Sequence, residues 1–169
     1  GKKEILERMP TYQGGGSMID RMNFEKTTYA SVPQKFEAGT PNISGAIGLA
    51  KALEIIDSFD FNYQHQHIIG LRNKIVETLR SFEFCEVYDF PSTDYAGVVS
   101  FNLKGAHSSD VGTLLDKYGI AVRAGHHCTQ PLMSLMGIEG TVRVSMAAYN
   151  SEDEVDYFVE KLKIVEEFF

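Results

Sequence analysis

The 169-residue sequence predicts an α/β chain of the α+β kind, a small, mainly antiparallel sheet covered by helices. Three observations predict it. Short β-like segments with alternating apolar residues are concentrated between Phe84 and Met146. Helical periodicity dominates from Ile43 to Phe82 and returns from Val155 onward. With 43% apolar residues, a chain of this length buries about 70% of the surface its unfolded form exposes, so a core forms without disulfides.

Lys3 to Met9 is charged and helix-prone, and Pro10 leads from it into Tyr12-Gln13-Gly14-Gly15-Gly16-Ser17. Each glycine costs a helix about 1 kcal/mol relative to alanine, so this run is a loop. It lacks the lysine of a P-loop and the spacing of a dinucleotide fingerprint, and reads as a flexible turn. Asp20 to Phe36 has no period and reads as extended or irregular up to Gly39-Thr40-Pro41. Ile43, Ile47, Ala50, Leu53 and Ile56 then recur at helical spacing. Ala46 and Leu49 widen the stripe until the helix is apolar nearly all round, which predicts burial. Thr40 stands where its N-cap belongs and Pro41 at its first position. A second helix, from about Asn62 to Arg80, is expected to pack with it. It carries Ile68, Leu71, Ile75, Leu79 and Phe82 on one face and Gln64, Arg72, Lys74 and Glu77 off that face.

Strands are expected at Phe84 to Phe90 and Gly97 to Leu103. Between about Ser108 and Tyr118 a helix is capped by Ser108 or Ser109 and stopped by Gly119. Ile120 to Arg123 and Thr141 to Met146 are the remaining strand candidates. In the second, Val142, Val144 and Met146 face one way and Thr141, Arg143 and Ser145 the other. Ser151 to Glu154 is a capping box, opening a last helix through Val155, Phe158, Val159, Leu162 and Val165.

Composition excludes several classes of function. Sixteen basic against 23 acidic residues leave a net charge of -7. Scattered cations on such a chain do not grip nucleic acid or an anionic membrane. No apolar run approaches the roughly 18 residues of a membrane helix, and the first residues lack a signal peptide's apolar stretch. Neither nucleic acid nor membrane is an expected partner. The two cysteines, Cys85 and Cys128, fit neither a metal knuckle nor a disulfide scaffold and suit a reducing cytoplasm. The sequence begins at Gly1 without a methionine, so its start was processed or something upstream is missing.

Arg123-Ala124-Gly125-His126-His127-Cys128-Thr129-Gln130-Pro131 is the densest candidate for chemistry. It sets a thiol after two imidazoles and near a guanidinium, and neighbouring positive charge turns such a thiol into a nucleophile. Cys85, between Phe84 and Glu86 on a strand, reads as structural. A metal held by His126, His127 and Cys128 is a rival, weakened because adjacent strand residues point to opposite faces and no carboxylate is nearby; no metal is expected. His65, His67 and His107 read as ordinary surface or half-buried residues. Gly39-Thr40-Pro41, before a helix, either caps that helix or offers amides and a hydroxyl to a phosphate. Arg143, flanked by valines, needs an anion: a structural carboxylate or the carboxylate of a substrate.

Tyr12 to Ile19, Lys35 to Asn42, Arg123 to Cys128 and Val142 to Ser145, in that order, resemble the C-terminal part of a SUF-type cysteine desulfurase. This group is close to the selenocysteine lyases, within the class V aminotransferase family. The short loop after Cys128 also resembles the SUF-type group. The resemblance implies a fold-type I, pyridoxal 5'-phosphate-dependent transferase. Residues 1–41 would end its large cofactor domain and residues 42–169 would form its small C-terminal α+β domain. Such an enzyme converts L-cysteine to L-alanine, leaves a persulfide on its own cysteine and passes the sulfur to an acceptor protein for iron-sulfur cluster assembly. Cys128 would be the nucleophile, Arg143 the partner of the substrate carboxylate and Arg123 a second arginine near that group. Thr40, with Gly39, would reach the cofactor phosphate across a homodimer interface.

The sequence also departs from that family. The family's Schiff-base lysine follows a histidine, upstream of the glycine run, and no His-Lys pair occurs here. The aspartate for the pyridine nitrogen and the histidine that stacks on the ring belong to the same missing part. The chain therefore reads as a fragment, inactive alone, of a cytoplasmic enzyme. The alternatives are a non-catalytic domain that carries sulfur on Cys128 or binds a desulfurase partner, and a small His/Cys metal module.

Overall fold

The computed structural model describes residues 1–90 and 96–169. They divide into two compact units, Gly1–Phe59 and Asp60–Phe169. The expected boundary at residues 41 and 42 lies one helix earlier.

In the first unit, α1 (Lys3–Arg8) ends where Lys35 donates to the carbonyls of Leu6, Glu7 and Met9 at 3.3, 3.1 and 2.9 Å. A cation there complements both the orphan carbonyls and the helix dipole. β1 (Ile19–Met22) and β2 (Thr27–Tyr29) form an antiparallel hairpin whose turn is closed by the Asn23 side chain, accepting from the amides of Glu25 and Lys26. The glycine run is not a loose turn. A Cβ on Gly15 would lie 3.3 Å from that of Ala38, and the Gly39 amide donates to the Gly16 carbonyl at 2.9 Å. Close approach of two backbones is what requires glycine there.

α2 (Ile43–Asp57) corrects two expectations. Its N-cap is Asn42, whose side chain accepts from the Gly45 amide at 2.9 Å, not Thr40. Asparagine is the stronger cap, and it stands next to the first helical residue. Nor is the helix buried: none of its residues is, and Ile47 and Leu49 are 67% and 63% exposed. An apolar pattern says that a helix favours cover, not that its own chain supplies it.

The second unit begins with α3 (Phe61–Arg80), capped by Asp60. Leu71, Ile75 and Leu79 are buried as the periodicity predicts. Arg72, expected off the buried face, is also buried, because Asp89 pairs with it and offsets its desolvation. Four strands follow, β3 (Cys85–Tyr88), β4 (Val98–Leu103), β5 (Arg123–Gly125) and β6 (Thr141–Ser145), in the order β3-β4-β6-β5 and antiparallel throughout. Along β4, buried Val99, Phe101 and Leu103 alternate with half-buried Val98, Ser100 and Asn102. Val99, Phe101 and Val142 join one core with α3, α4 (Ser108–Asp116) and α6 (Glu152–Glu166). Burying each large apolar side chain contributes roughly 1.5 to 3 kcal/mol. α3, α4 and α6 share a core with Val99, Phe101, Leu103 and Val142, and the alternate positions of β4 and β6 include the polar Ser100, Asn102 and Arg143.

Local details differ from the expected ones. His107 caps α4, its Nδ1 accepting from the Ser109 amide at 3.3 Å, where Ser108 or Ser109 was expected. Gly119, with φ +73°, does end the helix, in a Schellman closure that draws the Ile120 amide onto the Leu115 carbonyl. That closure uses Ile120, so the strand expected from Ile120 starts only at Arg123. His67, expected to be ordinary, bonds through Nε2 to the Asn150 carbonyl at 2.8 Å. α5 (Gln130–Met136) was not expected, being too short to show a period. The capping box of Ser151 and Glu154 is formed as the sequence predicts.

Candidate active site

The polar face of the sheet, at its β6-β5 edge, carries the arginines. In register, Arg143 on β6 lies between Ser100 on β4 and Arg123 on β5. Two like charges directly opposite each other on a sheet repel. Among the described residues no carboxylate forms an ion pair with either, and the Nε of Arg143 is buried without a hydrogen-bond partner. The structural salt bridge that Arg143 could have made is absent there. What remains is a pair of facing arginines whose repulsion an anion such as a carboxylate would relieve.

Cys128 lies beyond the end of β5, exposed, and Arg123 donates to its Sγ over 3.8 Å. Residues Arg123 to Cys128, with Gln130 and Pro131, line an open cavity of about 470 Å³, so a small molecule reaches both the thiol and the arginine. The backbone here is unusual. His127 and Cys128 have φ of +54° and +62°, after Gly125 at +113°. A Cβ on Gly140 would come within 3.0 Å of the Gly125 backbone, so two glycines let these segments meet.

The His127 ring turns back onto β6, with Nε2 2.8 Å from the Thr141 hydroxyl and 3.1 Å from its carbonyl. Burial holds the ring's pKa below the ordinary imidazole value, and the charges of Arg143, Arg123 and His126 act in the same direction. Among the described residues no three His, Cys, Asp or Glu side chains gather as a metal requires. The sequence presents His127 as a charged neighbour of the thiol or as a metal ligand; its link to Thr141 depends on a left-handed backbone that residue type does not signal.

Gly39 and Thr40 lie in the other unit. Gly39 has φ +86°, and its amide is already engaged by the Gly16 carbonyl. It contributes a turn and no donor, while Thr40 is exposed. For pyridoxal phosphate, Thr40 thus offers an exposed hydroxyl to a phosphate, and Gly39 offers no free amide. These residues do not by themselves make a cofactor site.

Residues 1–158 match the aminotransferase class-V family, and the chain belongs to that family. Over all 169 residues it is 45% identical to a protein of Staphylococcus epidermidis (strain ATCC 12228) named probable cysteine desulfurase, spanning 41% of that protein. The cysteine desulfurase CsdA of Escherichia coli, solved in an S-sulfonic acid form, matches the whole chain with a TM-score of 0.80 and 38% identity, over 42% of its own length. An apo cysteine desulfurase from Thermococcus onnurineus NA1 matches 99% of the chain with a TM-score of 0.77 and 35% identity, again over 42% of its length. The chain therefore spans about two fifths of the proteins it resembles. The expected fold class, the α+β small domain of a pyridoxal phosphate-dependent transferase, is the one these neighbours share.

Proposed function

We propose that this chain supplies the sulfur-accepting part of a pyridoxal phosphate-dependent cysteine desulfurase, and that Cys128 is its nucleophile. The observation that carries this is an exposed thiol beside one of two facing arginines that have no carboxylate partner among the described residues. In the proposed reaction Arg143, with Arg123 beside it, binds the carboxylate of L-cysteine and turns its sulfur towards Cys128. When bound, the cofactor supplies the electron sink that loosens the substrate's carbon-sulfur bond. The Cys128 thiolate attacks that sulfur, so a sulfur-sulfur bond forms while the carbon-sulfur bond breaks. Its electron pair stays on carbon, which takes up a proton and leaves as alanine. The persulfide on Cys128 then passes to an acceptor protein, with iron-sulfur cluster assembly as the destination.

Thr40 would touch the cofactor phosphate, in a homodimer that of the other subunit, and residues 1–41 and 42–169 would belong to the large and small domains. The cofactor's lysine would come from outside this chain, which alone would release no alanine. Both cysteines are free, as a reducing cytoplasm keeps them. No helix among the described residues is long and apolar enough to cross a membrane.

A chimera tests this proposal. The 169 residues replace the segment of the Staphylococcus epidermidis relative that they match along their whole length. With cofactor and L-cysteine the chimera should release alanine, Cys128→Ser should abolish sulfur transfer, and Arg143→Ala should lower kcat/KM by about tenfold or more, the value of a charge-assisted contact. Full sulfur transfer by the Cys128→Ser chimera would refute the assignment.

A further inference from the structure

We propose that His127 positions Cys128, by anchoring a strained turn to the sheet through one neutral ring donor. The inference deepens the assignment of Cys128 as sulfur acceptor and rests on it. The turn runs from His126 to Thr129, whose amide and hydroxyl both donate to the His126 carbonyl, at 2.9 and 2.7 Å. Its central residues are His127 and Cys128, both with positive φ. This is the pattern of a type I′ turn, where glycine, asparagine and aspartate prevail. A residue with a Cβ is disfavoured in that conformation, where its Cβ crowds the following carbonyl oxygen. Two in succession persist only when the surroundings hold them.

The His127 ring is that hold. A carbonyl only accepts, so at 3.1 Å from the Thr141 carbonyl the Nε2 atom carries the proton. Nδ1 is then a bare lone pair, and it is buried without a hydrogen-bond partner. The opposite tautomer would bury an N–H in the same place, the costlier orphan. A cationic ring would do so too, facing Arg143, Arg123 and His126. The ring is therefore neutral and has a single donor, spent on β6, where Thr141 is nearly fully buried. β6 also carries Arg143, so one strand fixes both the arginine and, through the ring, the turn that places Sγ beside Arg123.

The test uses the 169-residue chain without cofactor or cysteine, so its outcome is separate from that of the chimera. Cys128 is alkylated with iodoacetate and with iodoacetamide, one anionic and one neutral, and the ratio of rates is compared with that of a peptide of residues 123–131. A thiol held beside Arg123 should favour the anion about fivefold over the peptide. His127→Ala and His127→Gly should bring the ratio to within about twofold of the peptide, although glycine relieves the strain. His127→Gln, with an amide N–H near the position of Nε2, should keep at least about half of the excess. The proposal fails if the unaltered chain shows no excess, if glycine keeps it, or if glutamine loses it. Circular dichroism checks folding. Should alanine not fold, glycine against glutamine decides; should glutamine not fold either, the ring is merely structural and the proposal is overturned.

Discussion

Cys85 and Cys128 are the same chemical group in opposite settings. Cys85 stands in β3 opposite Leu103 and packs against the core. Burial, with the Glu166 carboxylate adding to it, pushes its thiol up to about 12. Cys128 is exposed, in a left-handed turn beside a guanidinium. The strand uses a cysteine as a small apolar filler, and the turn spends backbone strain to present one. Position in the fold, rather than residue type, separates an inert thiol from a proposed acceptor of sulfur.

The largest expected effect is on reactivity. In the 169-residue chain at neutral pH, iodoacetamide should modify Cys128 more than about a hundredfold faster than Cys85, because a thiol held so high is almost never ionised. Peptide mapping reads both sites at once, and equal, slow labelling would erase the distinction. Stability should move in opposite directions at the two positions. Cys85→Ser puts a hydroxyl against apolar neighbours and should cost about 1 to 3 kcal/mol. Cys128→Gly removes a Cβ from a left-handed residue and should gain about 0.5 to 1 kcal/mol. Urea unfolding measures both.

The smallest effect concerns pH. The folded-state pKa of His127 lies below the ordinary 6.5, so the folded ring resists protonation more than the unfolded one. Its contribution to stability is complete above 6.5 and declines as the pH falls below that value, where the unfolded chain binds the extra proton. His127→Gln should remove that part of the slope, as urea midpoints on either side of pH 6.5 would show. An unchanged slope would mean that the ring is not held neutral.

Much of this contrast is legible in the sequence, and its limits have physical causes. Strict alternation marks β4 and β6, and a self-contained capping box marks the start of α6, because both signals are local. The motif from Arg123 to Cys128 singles out the thiol and the arginine in the same way. Other features depend on what surrounds a residue. By its spacing Arg72 reads as a solvent-facing residue, whereas Asp89 accompanies it into the core. By sequence Thr40 reads as a cap, because the choice between it and Asn42 depends on where the first helical turn closes. The exposed apolar face of α2 was unforeseeable for a related reason: periodicity describes the helix and not its neighbours. The register of Arg123 opposite Arg143 required strands distant in sequence to pair.

The most direct measurement follows the sulfur atom. The chimera with the Staphylococcus epidermidis relative is given cofactor and L-cysteine carrying a heavy sulfur isotope, stopped after one turnover without an acceptor and mapped by mass spectrometry. The account expects one heavy sulfur on the peptide containing Cys128, none on the peptide containing Cys85, and alanine in equal amount. Heavy sulfur on Cys85, or alanine formed with all the heavy sulfur free in solution and Cys128 unmodified, would contradict it.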